Sequence, residues 1–194
     1  MTHVAAFLDE TARICAALDR DAIERLAAAL AALRARGGRL FVLGVGGSAG
    51  NAGHAVNDFR KLCGIEAYAP TDNVAELTAR TNDEGWETVF AAWLRVSRLG
   101  AADALLIFSV GGGDAARGIS VNLVRAIDAA KEAGASVFGI VGRPDGDAGR
   151  RADIAVVVPA LAPARVTPHA EAFQAVIWHC LVSHPALQAK ATTW

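Results

Sequence analysis

The chain has 194 residues, 53% hydrophobic and 20% charged, with 19 Lys and Arg against 20 Asp and Glu for a net charge of −1. That is enough apolar material for one sizeable core and excludes a disordered chain; the near-zero charge excludes a general attraction to nucleic acid or anionic lipid. No stretch reaches about 18 uninterrupted apolar residues, so no membrane span is expected, and the opening MTHVAAFLDETAR lacks the basic region and apolar core of a secretory leader, which points to a cytoplasmic protein.

Residues 3–36 carry helical periodicity, interrupted at Asp19-Arg20-Asp21, where Asp19 or Asp21 suits an N-cap. Two helices are expected, 3–18 and 21–36, the second ended by Gly37-Gly38. Leu40-Phe41-Val42-Leu43 reads as a buried strand (40–44), followed by the turn Gly44-Val45-Gly46-Gly47-Ser48 and a helix over 49–63. A short strand at 66–69 leads through Pro70 to Asn73 to a helical patch at 74–79. The cluster Thr81-Asn82-Asp83-Glu84-Gly85 reads as a loop before a helix at 86–98. The run 102–110 is a second long buried strand, followed by the glycine loop Gly111-Gly112-Gly113-Asp114 and a helix over 119–133. Strands at 136–141 and 152–158 and a last helix over 168–183 complete the chain. Alternating strands and helices predict an α/β fold: a doubly wound, five-stranded parallel sheet flanked by helices, with an N-terminal helical extension. The whole chain, 1–194, is expected to be one domain, with N-terminal helices over 1–37 and the α/β body with its C-terminal helix over 38–194. Cys15, Cys63 and Cys180 are odd in number and lack metal-site spacing, so they read as reduced core cysteines. Trp86, Trp93 and Trp178 read as core or interface aromatics, and Arg143, Arg150 and Arg151 as solvated side chains of a Gly/Asp-rich turn.

In such sheets ligands bind beyond the carboxyl ends of the strands, and both glycine loops leave strand carboxyl ends. The first loop is not a dinucleotide fingerprint, because Ala49 stands where the third glycine is needed, and the Walker lysine is absent. Its glycines, the free N–H groups of the helix start and the Ser48 hydroxyl suit a phosphomonoester; a tight turn with no ligand is the plain alternative. Ser109, the glycine run and Ser120 repeat the theme after the second strand, and two such loops favour a phosphate site. His54 and Asp58, at i and i+4, share one helix face, either as a solvated pair or as a ligand pair. On the last helix Glu171 and His179 lie two turns apart and about 80° apart around the axis. His179 sits in a mostly apolar run, as a satisfied core residue or a functional one. All four are acceptable zinc ligands, and four is the usual number.

These motifs resemble the SIS (sugar isomerase) domain family, of the phosphoheptose isomerase type. The resemblance runs from the N-terminal helices through the GxGGS loop, the His-containing helix, the Asn-Asp-x-Gly stretch at 82–85 and the second serine loop to the C-terminal helix. It implies an isomerase that converts a ketose 7-phosphate into an aldose 7-phosphate through an enediol. It also implies a homotetramer with active sites at subunit interfaces and a divalent metal, usually zinc. By the same resemblance Ser48, Ser109 and Ser120 hold the phosphate, Asn51, Asn82 and Asp83 lie near the sugar, and His54, Asp58, Glu171 and His179 surround the metal, with Glu171 also close to the substrate. Asp58 stands at the position of the base and His179 at that of its acid–base partner. The chain departs from the family pattern at Asp58, where glutamate is usual, at Glu171, where glutamine is usual, and at Val110, where a hydroxyl residue is usual. The stretch Gly111 to Gly118 is longer than the family's loop, and its Arg117 is a candidate replacement for lost phosphate contacts. A non-catalytic SIS module that binds a sugar phosphate or a protein partner, and an isomerase of another phosphosugar, are the alternatives these departures raise.

Overall fold

A computed structural model describes residues 1–190. Five parallel strands form one sheet in the order β2-β1-β3-β4-β5: β1 (Leu40–Leu43), β2 (Ala67–Tyr68), β3 (Ala104–Ser109), β4 (Ser136–Val141) and β5 (Ile154–Val157). Eight α-helices accompany them: α1 (His3–Ala17), α2 (Arg20–Ala35), α3 (Gly47–Lys61), α4 (Val74–Glu84), α5 (Val89–Val96), α6 (Val121–Glu132), α7 (Asp147–Arg151) and α8 (Val166–Val182).

The strands are buried on both faces, so each sends alternate side chains into two separate cores. Leu40, Val42, Leu106, Phe108, Ile140 and Val156 pack under α2, α3 and α8, with Leu26, Leu30, Phe59, Phe173 and Trp178 filling the layer. Phe41, Leu43, Leu105, Ile107, Val137 and Val141 pack against Phe90 and Leu94 of α5 and Leu123 and Ile127 of α6. The expected doubly wound arrangement is therefore present.

Asp19 is the N-cap of α2, its Oδ1 accepting from Ala22 N at 2.9 Å. At the amino edge of the sheet Asp103 is 4% exposed, and its carboxylate accepts from Arg39 N, Nε and Nη2 and from Gly100 N, joining β1 to β3. Burial alone would raise the Asp103 pKa, but these donors outweigh it and hold the carboxyl below its ordinary value. Helix α1 contributes only Ile14 to the core. It is tied down by Glu10, which accepts from Arg165 Nε at 2.7 Å and lies 3.0 Å from His169 Nε2, while the Phe7 ring stacks on His169 at 4.4 Å. Beyond α8 the chain folds back: Arg34 Nη1 donates to the carbonyls of Cys63 (2.9 Å) and Leu187 (2.6 Å), and Nη2 to that of Ala186 (3.0 Å).

Three expectations need correction. Residues 81–84 are helix, not loop: α4 continues to Glu84 because Arg80 bridges Glu76 (2.9 Å) and Glu84 (3.1 Å) along one face, and Gly85, at φ 89°, ends it. The turn after β4 contains the short helix α7, and Arg151 is partly buried there, paired with Asp128 at 2.6 Å. Only Cys63 is a core cysteine; Cys15 and Cys180 are exposed on their helices.

Candidate functional site

Strands β1 and β3 are neighbours, and the connections leaving them run to opposite sides of the pair, so the two glycine loops meet where the strand order reverses. The first loop is shaped by backbone contacts that only glycine permits. A Cβ on Gly44 would lie 2.3 Å from the carbonyl oxygen of Ser48, and Gly46 takes φ 63°, ψ −128° as the N-cap of α3. Helix α3 thus starts two residues earlier than its pattern predicts, and Ser48 belongs to its first turn, where backbone N–H groups lack helical partners.

Helices α3 and α8 lie side by side and run in the same direction, as successive contacts along them show. The Glu171 carboxylate lies against Gly47, where a Cβ would meet Oε2 at 2.4 Å. One turn on, Gln174, fully buried, donates through Nε2 to Ser48 Oγ at 3.0 Å and accepts at Oε1 from Asn51 Nδ2 at 3.0 Å; Asn51 Nδ2 also donates to the Glu171 carbonyl at 2.9 Å. Further along, His54 meets Trp178 and His179.

His54, Asp58 and His179 form the one group of three potential metal ligands among the described residues, with donor atoms all within 4.8 Å of one another. His54 Nε2 lies 3.8 Å from Asp58 Oδ2, and the two imidazole centroids are 5.6 Å apart at 89°. His179 Nδ1 is 2.8 Å from the Ala175 carbonyl, which accepts only, so Nδ1 carries the proton and Nε2 presents a lone pair in the neutral ring. Asp58 Oδ1 accepts from Asn57 Nδ2 at 2.8 Å. Two imidazoles and a carboxylate with exposed approach fit a divalent cation of the zinc type that keeps a position open. Glu171, expected as a fourth ligand, does not join them: its carboxylate occupies the space beside Gly47, about two turns of helix away.

The second loop is pinned from below. Ser109 Oγ accepts from Gly112 N at 2.9 Å, and Gly146 leaves room for the Gly111 carbonyl, which a Cβ would approach to 2.0 Å. Asp114 and Ile119 pair as an antiparallel bridge, so the extra residues form a small hairpin. Its Arg117 faces Arg143 across a cleft of about 230 Å³ lined also by Gly111, Asp114, Asp145 and Gly146. Ser120 sits at the start of α6 in the left-handed region, φ 46°, and its hydroxyl caps nothing in the helix. Asn82 and Asp83 stand exposed on the last turn of α4, where Asn82 Nδ2 donates to Asp83 Oδ1 at 2.7 Å.

Residues 6–142 match the SIS domain family. The chain belongs to that family. Among relatives of this SIS domain are a lincomycin biosynthesis protein, LmbN, of Streptomyces lincolnensis, 31% identical over 91% of this chain and 66% of its own length, and a phosphoheptose isomerase of Roseiflexus, 35% identical over 68% of this chain and 66% of its own. The chain thus spans just under two thirds of each of these relatives. The structure of a phosphoheptose isomerase from Neisseria gonorrhoeae superimposes with a TM-score of 0.80 at 25% identity, covering 92% of this chain and 95% of that one.

Two buried side chains of this SIS domain were not foreseen as parts of the site. Gln174 joins Ser48 to Asn51, and a polar amide inside the apolar run AFQAVIW is the signal that points to it. Trp178, read as core, is core, and it also carries both imidazoles. Neither Asn82 nor Asp83 shares a hydrogen bond with α3 or α8 among the described residues.

Proposed function

We propose that this SIS domain is an aldose–ketose isomerase acting on a heptose phosphate, interconverting sedoheptulose 7-phosphate and a glycero-manno-heptose 7-phosphate. The observation that carries the reading is the convergence of His54, Asp58 and His179 on the helix that also begins at the phosphate-type loop. Seven residues, about 10 Å of helix rise, separate Gly47 from His54, a span suited to an extended sugar phosphate with its reacting carbons at the triplet and its phosphate at the loops. The named isomerase relatives support the same substrate class.

In this reading the N–H groups opening α3, Ser48, and Ser109 and Ser120 on the neighbouring loop hold the phosphate, which supplies binding energy remote from the reacting carbons. Arg117 and Arg143 offset the negative charge that Glu171 brings to the first loop. Asn51, Asn82 and Asp83 are assigned to the sugar, Asn82 and Asp83 from a subunit neighbour if the site lies between copies. Asp58 takes the proton from the carbon beside the carbonyl and returns it to the adjacent carbon, while His179 passes a proton between the two oxygens. A zinc ion held by His54, Asp58 and His179 would polarise those oxygens. The triplet lies on an open face: none of the five best-defined depressions is lined by its residues. Covering that face with another subunit of a homotetramer would exclude water from the enediol.

The test is metal analysis with turnover of sedoheptulose 7-phosphate. Wild type should hold about one divalent ion per chain and turn over, and His179→Ala should lose at least about 100-fold in rate; a wild type with neither metal nor turnover ends the proposal. The short Asp58 arm favours a second reading, a module that binds a sugar phosphate without converting it. Asp58→Asn should abolish turnover under the first reading. Under the second it leaves cellular function intact while Ser48→Ala removes it.

A further inference from the structure

We infer that Trp178 is a positioning residue of the His54/Asp58/His179 centre, the rigid surface that sets both imidazoles toward a shared cation; this rests on the reading of that triplet as a divalent-metal site. Trp178 is fully buried, among the largest side chains of the core, and held between α3, α8 and the sheet. Its indole lies 3.5 Å from the His179 ring, stacked at 29°, and 4.6 Å from the His54 ring, edge to face at 62°.

Each contact is unusual in a way that gives the indole work to do. Adjacent residues on a helix diverge by about 100°, so their side chains do not ordinarily face each other. His179 nevertheless folds back over Trp178, and this places the ring whose Nδ1 is anchored on Ala175. His54 has no hydrogen bond that orients its ring: Asp58 is at 3.8 Å, beyond hydrogen-bond length. Among the described residues its ring is in contact with Trp178 and His179 alone. The two metal-ligating histidines of such centres are ordinarily aimed by hydrogen bonds from a second layer of residues. Here one has that support and the other has only the indole.

Trp178 Nε1–H is buried and has no acceptor. A buried donor without a partner is destabilising, and phenylalanine would fill much of the same space without it. The indole is retained despite that penalty. A cation bound by the imidazoles draws electron density from both rings, and the indole face is the most electron-rich surface a protein can set against them.

Cobalt(II) is the probe, because it takes zinc's ligands and reports its coordination by visible absorption. Wild type should bind Co²⁺ with a tetrahedral-type spectrum and with quenching of a blue-shifted, buried tryptophan emission. Trp178→Leu should weaken Co²⁺ binding by about 10-fold or more, the usual penalty for losing an outer support, and should broaden or shift the absorption bands. Trp178→Phe should restore affinity to within a few-fold and keep the bands, while the Co²⁺-dependent quenching disappears. Both variants are compared at matched thermal stability, so that a partly unfolded Trp178→Leu is recognised and Trp178→Phe against wild type carries the emission test. If Trp178→Leu binds Co²⁺ with wild-type affinity and spectrum, or if the quenching survives in Trp178→Phe, the positioning role is overturned. A wild type whose Co²⁺ binding is absent or unchanged by His54→Ala overturns the metal reading itself, and the positioning role with it.

Discussion

At the scale of single residues, the polarity of the Ser48 contact is settled by a chain of donors. The Glu171 carbonyl accepts only, so Asn51 must present its amide nitrogen there and to Gln174 Oε1; Gln174 Nε2 is then the donor to Ser48 Oγ, leaving the Ser48 proton available to a ligand. Replacing Gln174 by leucine strips buried polar atoms of their partners, at about 1–3 kcal/mol. For a chain of this size the melting temperature should fall by roughly 2–4 °C per kcal/mol, measured by calorimetry. An unchanged melting temperature would mean that the amide is not holding the two helices. Glu171 illustrates the same dependence on atomic surroundings. Its spacing from His179 is compatible with a shared ligand, yet the missing side chain of Gly47 leaves a space that its carboxylate fills, and sequence spacing carries no information about that space.

At the scale of elements, α1 is held by charge more than by packing. Hydrogen bonds from Arg165 and then His169 lower the Glu10 pKa from about 4.5 to about 2. A folded-state pKa below the ordinary value means that the contribution is complete above about pH 4.5 and is lost as pH falls toward 2. Hydrogen exchange in α1 should therefore accelerate across that window ahead of the sheet, and Glu10→Gln should show the fast exchange already at neutral pH. If α1 and β3 exchange together at every pH, the tie is not what holds the helix. Element reading from sequence succeeded where apolar runs were long, as in β1, β3 and β4, because a buried parallel strand has few alternatives. It failed at 81–84, where Asn, Asp and Gly resemble a turn but the Glu76–Arg80–Glu84 ladder keeps the helix going. It also missed α7, whose five residues are too few to show a period.

At the scale of the whole molecule, the two loops and the pair His54 and Asp58 were legible because they lie within one short unit of chain. Their partners were not. Gln174, Trp178 and His179 come from more than a hundred residues away, and only the packing of α8 along α3 brings them in. The exposed apolar side chains of Val4 and Leu8 on α1 and Val176 on α8, with the open metal-ligand face beside the last, fit an assembly in which another copy covers them. Light scattering behind gel filtration should give a mass near four chains at micromolar concentration. Val176→Glu should lower both the mass and the turnover; a monomer that turns over at full rate would exclude sites shared between copies.

Arg34 touches no part of the centre, yet its guanidinium gathers the carbonyls of Cys63, Ala186 and Leu187 at the far ends of α3 and α8. Two rods laid in parallel can slide along each other, and a slip of a fraction of a turn would separate His179 from His54 without changing any ligand. The three-carbonyl clasp stops that slip. The reach between the halves of the centre is thus gauged from the end of the helix pair where no substrate goes, and inherited variation there would register as a change in metal affinity rather than as a loss of fold.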